Sequence, residues 1–399
     1  MSDFSWKIKK KSKINNSRIG LISTPHGNIE TPAFIFCATK GALKSFSTLD
    51  AKKNNTQIIL SNTYHLMLQP GSKIIANHGG LHRFMNWDGP MLTDSGGFQI
   101  FSLGSGSVAD EIKGRKLNTK QKKTMLNINE EGAIFKSYID GSNLLLSPEK
   151  SIQIQRDLGA DFIVVFDECT PFNVDKNYTS KSMLRSHRWA IRSINSFNSK
   201  IKYDYQKGSA GSQKIYGIIQ GGVYKDLREE SIEFNQNQID TFGIAIGGSL
   251  GSTKDEMREV VNFTASKLKN TRPIHLLGIG DSIDIWTFVE DGIDTFDCVS
   301  PTRLARHGSA LVKGKKAKIN LKNIEFKEKL EPIERDCNCY TCKNFTLSYL
   351  YHLFSSQELL GMQLLTHHNI FFMNNLMTVI RESIRNENFE EIKKEWLNS

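Results

Sequence analysis

The sequence predicts an α/β protein, an irregular (β/α)8 TIM barrel with a zinc-binding, mainly helical C-terminal subdomain. Eight short apolar or β-branched segments recur in about the first three hundred residues, most of them followed by a segment with helical spacing, and three cysteines crowd together near the C-terminus. Eight strand–helix units over about 270 residues fit a closed barrel better than an open, doubly wound sheet. The open sheet is the alternative, because periodicity identifies the type of an element better than its topology.

The predicted strands are short, and each ends in or near Gly, Asp, Asn or Gln. They span residues 33–36, 58–60, 91–93, 162–166, 215–219, 243–246, 274–277 and 295–299. Apolar residues at three- and four-residue spacing predict helices between them, of which 182–197, 254–268 and 282–289 are examples. Two polar segments rich in lysine, serine or glycine, 105–124 and 199–213, are expected to form exposed loops.

The chain changes character after residue 310. The segment 313–329 holds seven lysines against two glutamates and leads into the cysteine cluster. Residues 345–384 are apolar at helical spacing, and the last fifteen residues are charged and amphipathic. We therefore expect two parts: a catalytic barrel over residues 1–310, and a zinc-binding subdomain with C-terminal helices packed on the barrel over residues 311–399.

The composition is that of a soluble globular chain, with 39% hydrophobic and 24% charged residues among 399. Neither a membrane span nor a signal peptide is evident, so we expect a cytoplasmic protein. Lys and Arg number 52 against 42 for Asp and Glu, which gives a net charge of +10. An excess of positive charge favours polyanionic partners, although a lysine-rich surface kept for solubility explains the charge equally well.

The cysteine cluster predicts a metal site. Six cysteines are too few and too unevenly spaced for a disulfide scaffold. Cys337, Cys339 and Cys342 offer three thiolates within one turn, as a tetrahedral zinc ion or an iron–sulfur cluster requires. A fourth ligand is expected downstream, from His352, His367 or His368, and a histidine there favours zinc. Four protein ligands leave no position for water, so the site is expected to be structural.

Polar residues follow the predicted strands where a (β/α)8 barrel carries its chemistry. Asp94, Asp167 and Asp297 end the third, fourth and eighth strands, and Gln220 and Gly248 follow the fifth and sixth. Two carboxylates facing each other across a barrel mouth suit chemistry at a glycosidic bond. Each aspartate alone is better explained as a helix cap or turn residue. Three of them at strand ends, some beside glycine pairs, favour an active site.

The segments around these residues resemble tRNA-guanine transglycosylase of the bacterial type, from about residue 15 to the C-terminus. The resemblance rests on Ser61-Asn62-Thr63-Tyr64-His65-Leu66, Leu92-Thr93-Asp94-Ser95-Gly96-Gly97-Phe98-Gln99, Phe166-Asp167-Glu168-Cys169-Thr170-Pro171, Ile219-Gln220-Gly221-Gly222, Phe296-Asp297-Cys298-Val299 and Pro301-Thr302-Arg303, together with the Cys-x-Cys-x-x-Cys cluster. It implies the same barrel and zinc-binding subdomain, and an enzyme that exchanges guanine at the wobble position of tRNA(Asp, Asn, His, Tyr) for a 7-deazaguanine.

The resemblance also implies roles for individual residues. Asp297 is expected to be the nucleophile that forms a covalent ribosyl enzyme, and Asp94 the general acid and base, with no ATP or redox cofactor. The residues implied in base binding are Asp167, Gln220, Gly248, Phe98, Leu277 and Cys169. Arg303 and Arg306 are expected to bind the tRNA anticodon loop. The zinc ligands implied by the resemblance are Cys337, Cys339, Cys342 and His368.

One departure from the family pattern concerns the incoming base. Members that use 7-aminomethyl-7-deazaguanine usually have Leu-Ala-Val after the glycine pair, whereas this chain has Ser249-Leu250-Gly251. Glycine in place of a branched residue is expected to open volume beside the 7-substituent, and Cys37 is a weaker indication of the same kind. We therefore hypothesise that queuine is accepted, with the aminomethyl base as the alternative.

Two other functions compete with this one. A non-catalytic tRNA-binding subunit would keep the fold, but the presence of both Asp94 and Asp297 argues against it. A zinc hydrolase would need histidines at strand ends, and His-x-His is missing after the first predicted strand. The resemblance implies a homodimer, with pairing to a paralogous subunit as the alternative.

Overall fold

The computed structural model describes residues 4–104, 125–170, 174–269 and 271–398. Eight parallel strands close into a barrel in the order in which they occur along the chain. They are β1 (Ala33–Cys37), β2 (Ile59–Ser61), β3 (Met91–Thr93), β4 (Phe162–Val164), β5 (Lys214–Ile219), β6 (Gly243–Ile246), β7 (Ile274–Leu276) and β8 (Thr295–Cys298). All eight predicted strands are confirmed, with ends that differ by at most two residues. The open sheet is excluded because β8 pairs with β1, with Thr295 opposite Ala33.

The amino end of the barrel is covered by an antiparallel sheet of the strands Ser5–Lys11, Arg18–Thr24 and Gly27–Thr31. Ile22 and Ile29 of this sheet are buried in one cluster with residues that begin barrel strands, among them Phe162 and Ile215. Because both faces and this end of the barrel are buried, its strands are nearly continuous apolar runs. The carboxyl end is left for the polar residues of the site.

Helices follow the strands, and several begin where a side chain caps their first turn. The cap of Lys176–Phe197 is Asp175, which accepts a hydrogen bond from Tyr178 N. This cap extends the predicted helix 182–197 by six residues at its start. Within the described ranges, the other helices up to residue 306 are Thr48–Lys53, Thr63–Leu68, Ser72–Asn77, Leu81–Met85, Gly97–Gly104, Pro148–Leu158, Lys225–Glu233, Lys254–Lys267, Ser282–Glu290 and Ser300–Arg306, with a π-helical turn at Phe234–Gln238.

Two insertions interrupt this alternation. An antiparallel sheet of Met125–Ile128, Ala133–Lys136 and Asn143–Leu146 lies between β3 and β4 in the chain. The predicted loop 105–124 lies outside the described residues. The segment 199–213 contains a short hairpin of Lys207–Gly208 and Gly211–Ser212, and the buried Arg156 donates hydrogen bonds to its carbonyls, including Asp204 O at 2.7 Å.

The C-terminal part begins with the paired strands Ser309–Leu311 and Lys318–Asn320. A short 3-10 turn, Ile324–Phe326, and the helices Tyr340–Asn344, Leu347–Ser355, Leu359–Arg385 and Phe389–Asn398 follow. Leu364 and Leu365 of the longest helix pack in a separate core with Cys339 and Cys342, whereas its later residues, such as Met373, pack on the barrel core. We propose on this basis the division into residues 1–310 and 311–399. Among the described helices, none is long and apolar enough to cross a membrane.

Candidate active site at the carboxyl end of the barrel

Asp94 follows β3, and its carboxylate is held by donors from neighbouring elements. Oδ1 accepts a hydrogen bond from the backbone N of Thr63 at 2.8 Å. Oδ2 accepts one from Gln99 Nε2 at 2.8 Å and another from Asn62 Nδ2. Because Thr63 begins the helix Thr63–Leu68, Asp94 occupies the place of a capping side chain and is fixed in one orientation.

The environment of Asp94 adjusts its acidity. Burial raises its pKa to about 6, the hydrogen bonds from Thr63, Asn62 and Gln99 act in the opposite direction, and the charge of Asp297 raises the pKa further. A carboxyl group with a pKa near neutrality can both donate and accept a proton under physiological conditions. The effect of Asp297 means that the two carboxylates are near enough to interact electrostatically.

Asp297, in β8, presents a carboxylate that is 13% exposed. Its Oδ1 accepts a hydrogen bond from Gly278 N at 3.1 Å and lies 3.2 Å from Nε2 of His275. Its Oδ2 lies 3.7 Å from the thiol of Cys37, a weak donor. One oxygen therefore has two nitrogen neighbours, and the other has only the thiol as a described side-chain contact.

Asp167 is the third carboxylate of the site and is 7% exposed. Burial raises its pKa to about 6, hydrogen bonds from Ser95 and Gln220 lower it, and the charge of Asp94 raises it. Ser95 Oγ donates to Oδ1 at 3.0 Å, and Gln220 Nε2 donates to Oδ2 at 2.6 Å. The amide of Gln220, which is expected to bind the base, thus donates to Asp167 in this structure.

Two glycines allow the backbone to approach these side chains. A Cβ on Gly97 would lie 2.5 Å from Asp167 O, and one on Gly248 would lie 2.5 Å from Oε1 of Gln220. Gly248 also has a φ of +76°, which side-chain-bearing residues rarely adopt. Both segments therefore pass close to the Asp167–Gln220 pair, as expected for the walls of a narrow pocket.

The remaining predicted base-binding residues lie around the same walls. Phe98 is the second residue of the helix Gly97–Gly104 and is 48% exposed. The side chain of Leu277 lies close to Gly247: a Cβ added to Gly247 would be 3.2 Å from Cδ1 of Leu277. Burial and the charge of Asp167 raise the pKa of Cys169 to about 12, so its thiol stays protonated.

A buried arginine joins two walls of the pocket. Arg228 is fully buried, and burial lowers its pKa to about 10. It donates to Gly222 O at 2.7 Å, to Gly247 O at 2.9 Å and to Ser249 O at 3.2 Å. One cation therefore fixes the loops after β5 and β6 relative to each other.

Positive charge gathers beside the nucleophile candidate. Arg303 and Arg306 lie on the helix Ser300–Arg306, which begins three residues after Asp297. Burial lowers the pKa of Lys44, and the nearby Arg306, Lys40 and Arg303 lower it further. Lys40 and Lys44 were not among the predicted site residues, although both follow β1 as Asp94 follows β3. A group of four cations at one rim suits a polyanionic chain.

The predicted metal ligands come together in the C-terminal part. Nδ1 of His368 lies 3.8, 3.5 and 3.4 Å from the sulfurs of Cys337, Cys339 and Cys342. Tetrahedral zinc with such ligands places them about 3.6 Å apart. His368 is fully buried, and its Nε2 donates to Leu311 O at 2.8 Å, which leaves Nδ1 free to bind an ion. The four side chains form a group able to hold a metal ion.

A second group of metal-type side chains lies at the opposite end of the barrel. His26 Nδ1 is 2.7 Å from Oδ1 of Asp161, and His82 Nε2 is 3.3 Å from Oδ2. The imidazole rings stack with centroids 3.6 Å apart and planes within 15°, and one ligand atom of each residue lies within 4.8 Å of the others. The 2.7 Å separation is a hydrogen-bond length, and we assign this group to hydrogen bonding rather than to a metal.

Gly251 has a local explanation that the sequence did not reveal. Its φ is +121°, and an added Cβ would lie 2.7 Å from both Cγ and Oε2 of Glu256. Glu256 Oε2 in turn accepts a hydrogen bond from Ser252 N at 2.7 Å. The positive φ therefore favours glycine here, independently of any volume left for a base, and the Glu256 side chain occupies the direction of an added Cβ.

These features define a (β/α)8-barrel enzyme with a metal-binding C-terminal part. They are the closed barrel, the carboxylates at its strand ends and the Cys3His group. A family model described as queuine tRNA-ribosyltransferase matches residues 13–399. The chain belongs to the queuine tRNA-ribosyltransferase family.

Curated relatives are similar over nearly the whole chain. A queuine tRNA-ribosyltransferase of Roseiflexus sp. (strain RS-1) is 45% identical over 401 residues, which cover 98% of this chain and 99% of the relative. Proteins of the same name from Francisella tularensis subsp. novicida (strain U112) and Protochlamydia amoebophila (strain UWE25) are 44% and 42% identical, each over 97% of its own length and over 98% and 97% of this chain.

Proposed function

We propose that this chain exchanges guanine at the wobble position of tRNA(Asp, Asn, His, Tyr) for a 7-deazaguanine. Membership of the family supports tRNA-guanine transglycosylase activity. The observation that carries the proposal is the pair Asp94 and Asp297, two carboxylates that interact across the barrel mouth, one of them with a pKa of about 6.

The reaction proceeds in two displacements. Asp297 attacks C1′ of the target ribose, the bond from C1′ to the base breaks, and its electron pair leaves with guanine, which Asp94 protonates. The incoming base then loses a proton to Asp94 and attacks C1′ from the face that guanine left, and the ester bond to Asp297 breaks. Two inversions give net retention at C1′.

The base binds between the loops that Arg228 joins. Asp167 accepts hydrogen bonds from the N–H edge of the base, while Gln220 and the Gly248 amide donate to its exocyclic oxygen. Gln220 must first release Asp167, to which it donates at 2.6 Å. Phe98 stacks on one face of the base, Leu277 packs on the other, and the neutral thiol of Cys169 borders the pocket. A base without the N–H donors leaves a buried carboxylate unpaired and is rejected.

The tRNA anticodon loop is held by positive charge. Arg303 and Arg306 bind its backbone and bases, and the rim extends to Lys40 and Lys44. Six of the seven lysines in the stretch 313–329 are exposed, and we propose that they extend this surface: Lys315, Lys316, Lys318, Lys322, Lys327 and Lys329. We propose that the protein works in the cytoplasm, where such tRNAs are found.

The metal is proposed to be Zn2+, held by Cys337, Cys339, Cys342 and His368. Three thiolates and one imidazole form a closed set that suits structural zinc. It supplies folding energy rather than chemistry at the base, because the reacting groups lie on the barrel.

A homodimer is proposed from the aromatic surface of the C-terminal part. Tyr340, Phe345, Tyr349 and His352 form a continuous row, with Tyr340 53% and Tyr349 38% exposed. Such a row is more typical of an interface than of a free surface. Light scattering is expected to give a dimer for the unchanged chain and a monomer for Tyr349→Glu, and a monomeric unchanged chain would refute the dimer.

The incoming base is proposed to be queuine, as named for the relatives, with the aminomethyl precursor as the alternative. Mass-tagged queuine and 7-aminomethyl-7-deazaguanine are offered separately with tRNA. Incorporation of queuine supports the proposal, and exclusive use of the aminomethyl base overturns it. Gly251→Val is a poor probe here, because a φ of +121° is strained for a residue with a side chain.

The central experiment tests for the covalent intermediate. The protein is incubated with tRNA and an exchange base analogue and run on a denaturing gel. A protein–RNA band that disappears in Asp297→Asn supports the enzyme. Tight tRNA binding without such a band, and without exchange of labelled guanine, would instead indicate a non-catalytic tRNA-binding subunit.

A further inference from the structure

We infer that His275 is a positioning residue that holds Oδ1 of Asp297 and leaves Oδ2 as the attacking oxygen. The inference rests on the proposed function, in which Asp297 is the nucleophile. His275 lies in the middle of β7, opposite Thr295 of β8, and is 2% exposed. A histidine in the interior of a barrel strand has few polar neighbours, so the polar contacts of its ring indicate its role.

Both ring nitrogens face polar atoms of β8. Nδ1 lies 2.9 Å from Oγ1 of Thr295, and Nε2 lies 3.2 Å from Oδ1 of Asp297. The second contact is too bent to count as a hydrogen bond, and among the described residues Nε2 has no other partner. Catalytic hydrogen bonds are commonly misaligned before substrate binds and tighten in the reacting complex. A small turn of the Asp297 carboxylate would complete this one.

The neutral imidazole satisfies both contacts at once. The Thr295 hydroxyl donates to Nδ1, and Nε2–H donates to Oδ1 of Asp297. With the Gly278 N–H, Oδ1 then has two nitrogen donors, whereas Oδ2 has the thiol of Cys37 at 3.7 Å. The less encumbered oxygen, Oδ2, is the one free to form the bond to C1′.

This arrangement affects the two displacements differently. When Oδ2 bonds to C1′ and the base leaves with the electron pair of its glycosidic bond, Oδ1 becomes the carbonyl oxygen of an ester. When the incoming base attacks C1′, the C1′–Oδ2 bond breaks and its electron pair returns to the carboxylate. His275 and Gly278 stabilise the charge that develops on Oδ1 in this step. Without His275, the covalent intermediate should form but break down slowly.

Three variants test the role. His275→Leu fills the volume without a donor, and His275→Gln can place an N–H near the position of Nε2. Thr295→Val removes the hydroxyl that fixes the tautomer and spares the ring. Exchange of labelled guanine and the fraction of protein in the covalent band are measured for each, with the thermal midpoint as a check of folding.

We expect His275→Leu to lower kcat by roughly 10- to 100-fold, with little change in KM for tRNA and a larger covalent fraction. His275→Gln should stay within about threefold of the unchanged chain, and Thr295→Val should shift both readouts in the direction of His275→Leu by a smaller factor. If His275→Leu fails to fold, Thr295→Val and His275→Gln still test whether His275 positions Asp297.

Equal activity of all variants, or an equal loss in the leucine and glutamine variants without a larger covalent fraction, would overturn the inference while leaving the proposed function intact. If the unchanged chain exchanges no guanine, the proposed function fails, and the assignment of His275 fails with it.

Discussion

The side chain of Asn369 donates through Nδ2 to the backbone carbonyl of Pro301 at 2.9 Å. Asn369 follows the metal-ligand candidate His368, and Pro301 lies four residues after Asp297. Asn369 also donates to Ser309 O at 3.1 Å and accepts from Leu311 N at 2.9 Å. One buried amide thus joins the long C-terminal helix to the helix that carries Arg303 and Arg306.

Replacing this amide should destabilise the protein. Asn369→Ala leaves three buried backbone groups without their side-chain partner, and we expect a loss of about 2–4 kcal/mol in the free energy of unfolding. Urea denaturation measures it. Asn344→Ala removes an exposed hydrogen bond to Tyr340 O and should change the free energy by less than about 0.5 kcal/mol. Equal stability of the two variants would contradict the assignment.

The Cys3His group should bind one zinc ion per chain. Elemental analysis of the purified protein is expected to find zinc in a 1:1 ratio, and Cys339→Ala should lose the metal and unfold at a lower temperature. Cys298→Ala, a cysteine in β8, is the matched control and should keep its zinc. Full zinc content in Cys339→Ala would rule out the proposed ligand set.

The raised pKa of Asp167 predicts a specific dependence of stability on pH. Burial moves the pKa from the ordinary 3.8 to about 6, so the folded state holds this proton more tightly than the unfolded state. As pH rises from about 4 to about 6, the unfolded chain releases the Asp167 proton before the folded chain does. The contribution of Asp167 therefore lowers the free energy of unfolding by about 2–3 kcal/mol over this range.

Asp167→Asn should remove that penalty. It is expected to be more stable than the unchanged chain at pH 7.5 and equally stable at pH 4, because Ser95 and Gln220 can reorient toward an amide. Asp255→Asn, whose side chain is 96% exposed, serves as control and should match the unchanged chain at both values. Thermal midpoints across this range measure the effect, and a stabilisation that persists at pH 4 would contradict the explanation.

The rate of exchange should fall as pH rises through about 6. In the first displacement Asp94 must carry a proton, and its pKa of about 6 means that the protonated fraction decreases above that value. We expect kcat/KM for tRNA to decrease along that limb, and Asp94→Asn to lose more than about a hundredfold in kcat. A flat profile between pH 5 and 8 for the unchanged chain would exclude Asp94 as the acid.

Binding of tRNA should depend on salt through the cationic rim. Replacing Lys44, Arg303 or Arg306 by alanine is expected to weaken tRNA binding. The slope of log affinity against log salt should also fall in magnitude, by about one for each phosphate that the removed cation had neutralised. Lys225→Ala removes a lysine that is paired with Glu259 and should leave the slope unchanged. Binding of the free base should vary little with salt in every variant.

The barrel could be predicted because its strands are buried on both faces and therefore appear as short apolar runs. The antiparallel insertion from Met125 to Leu146 escaped prediction, since its strands are not buried on both faces: Lys136, Asn143 and Leu145 are exposed. Asp94, Asp167 and Asp297 were recognisable by their position at or beyond the carboxyl end of a strand, and their proposed roles remain predictions.

The contacts that adjust those carboxylates could not be predicted. Asn62 reaches Asp94 across 32 positions in the chain, and such a pairing depends on the barrel register. His275 lies inside an apolar run, where it resembles a core residue. Gly251 was explained by pocket volume, whereas its positive φ and the adjacent Glu256 emerge only in three dimensions.

In the proposed reaction, the closure of the amino end by Ile22 and Ile29 leaves access to the site from the carboxyl end. The anticodon loop, the departing guanine and the replacement base must all use the carboxyl end. Guanine leaves and the new base enters while the RNA is still attached to Asp297, so both pass alongside bound RNA. A free base that arrives before tRNA occupies the pocket that the target guanine needs, and the second substrate therefore competes with the first.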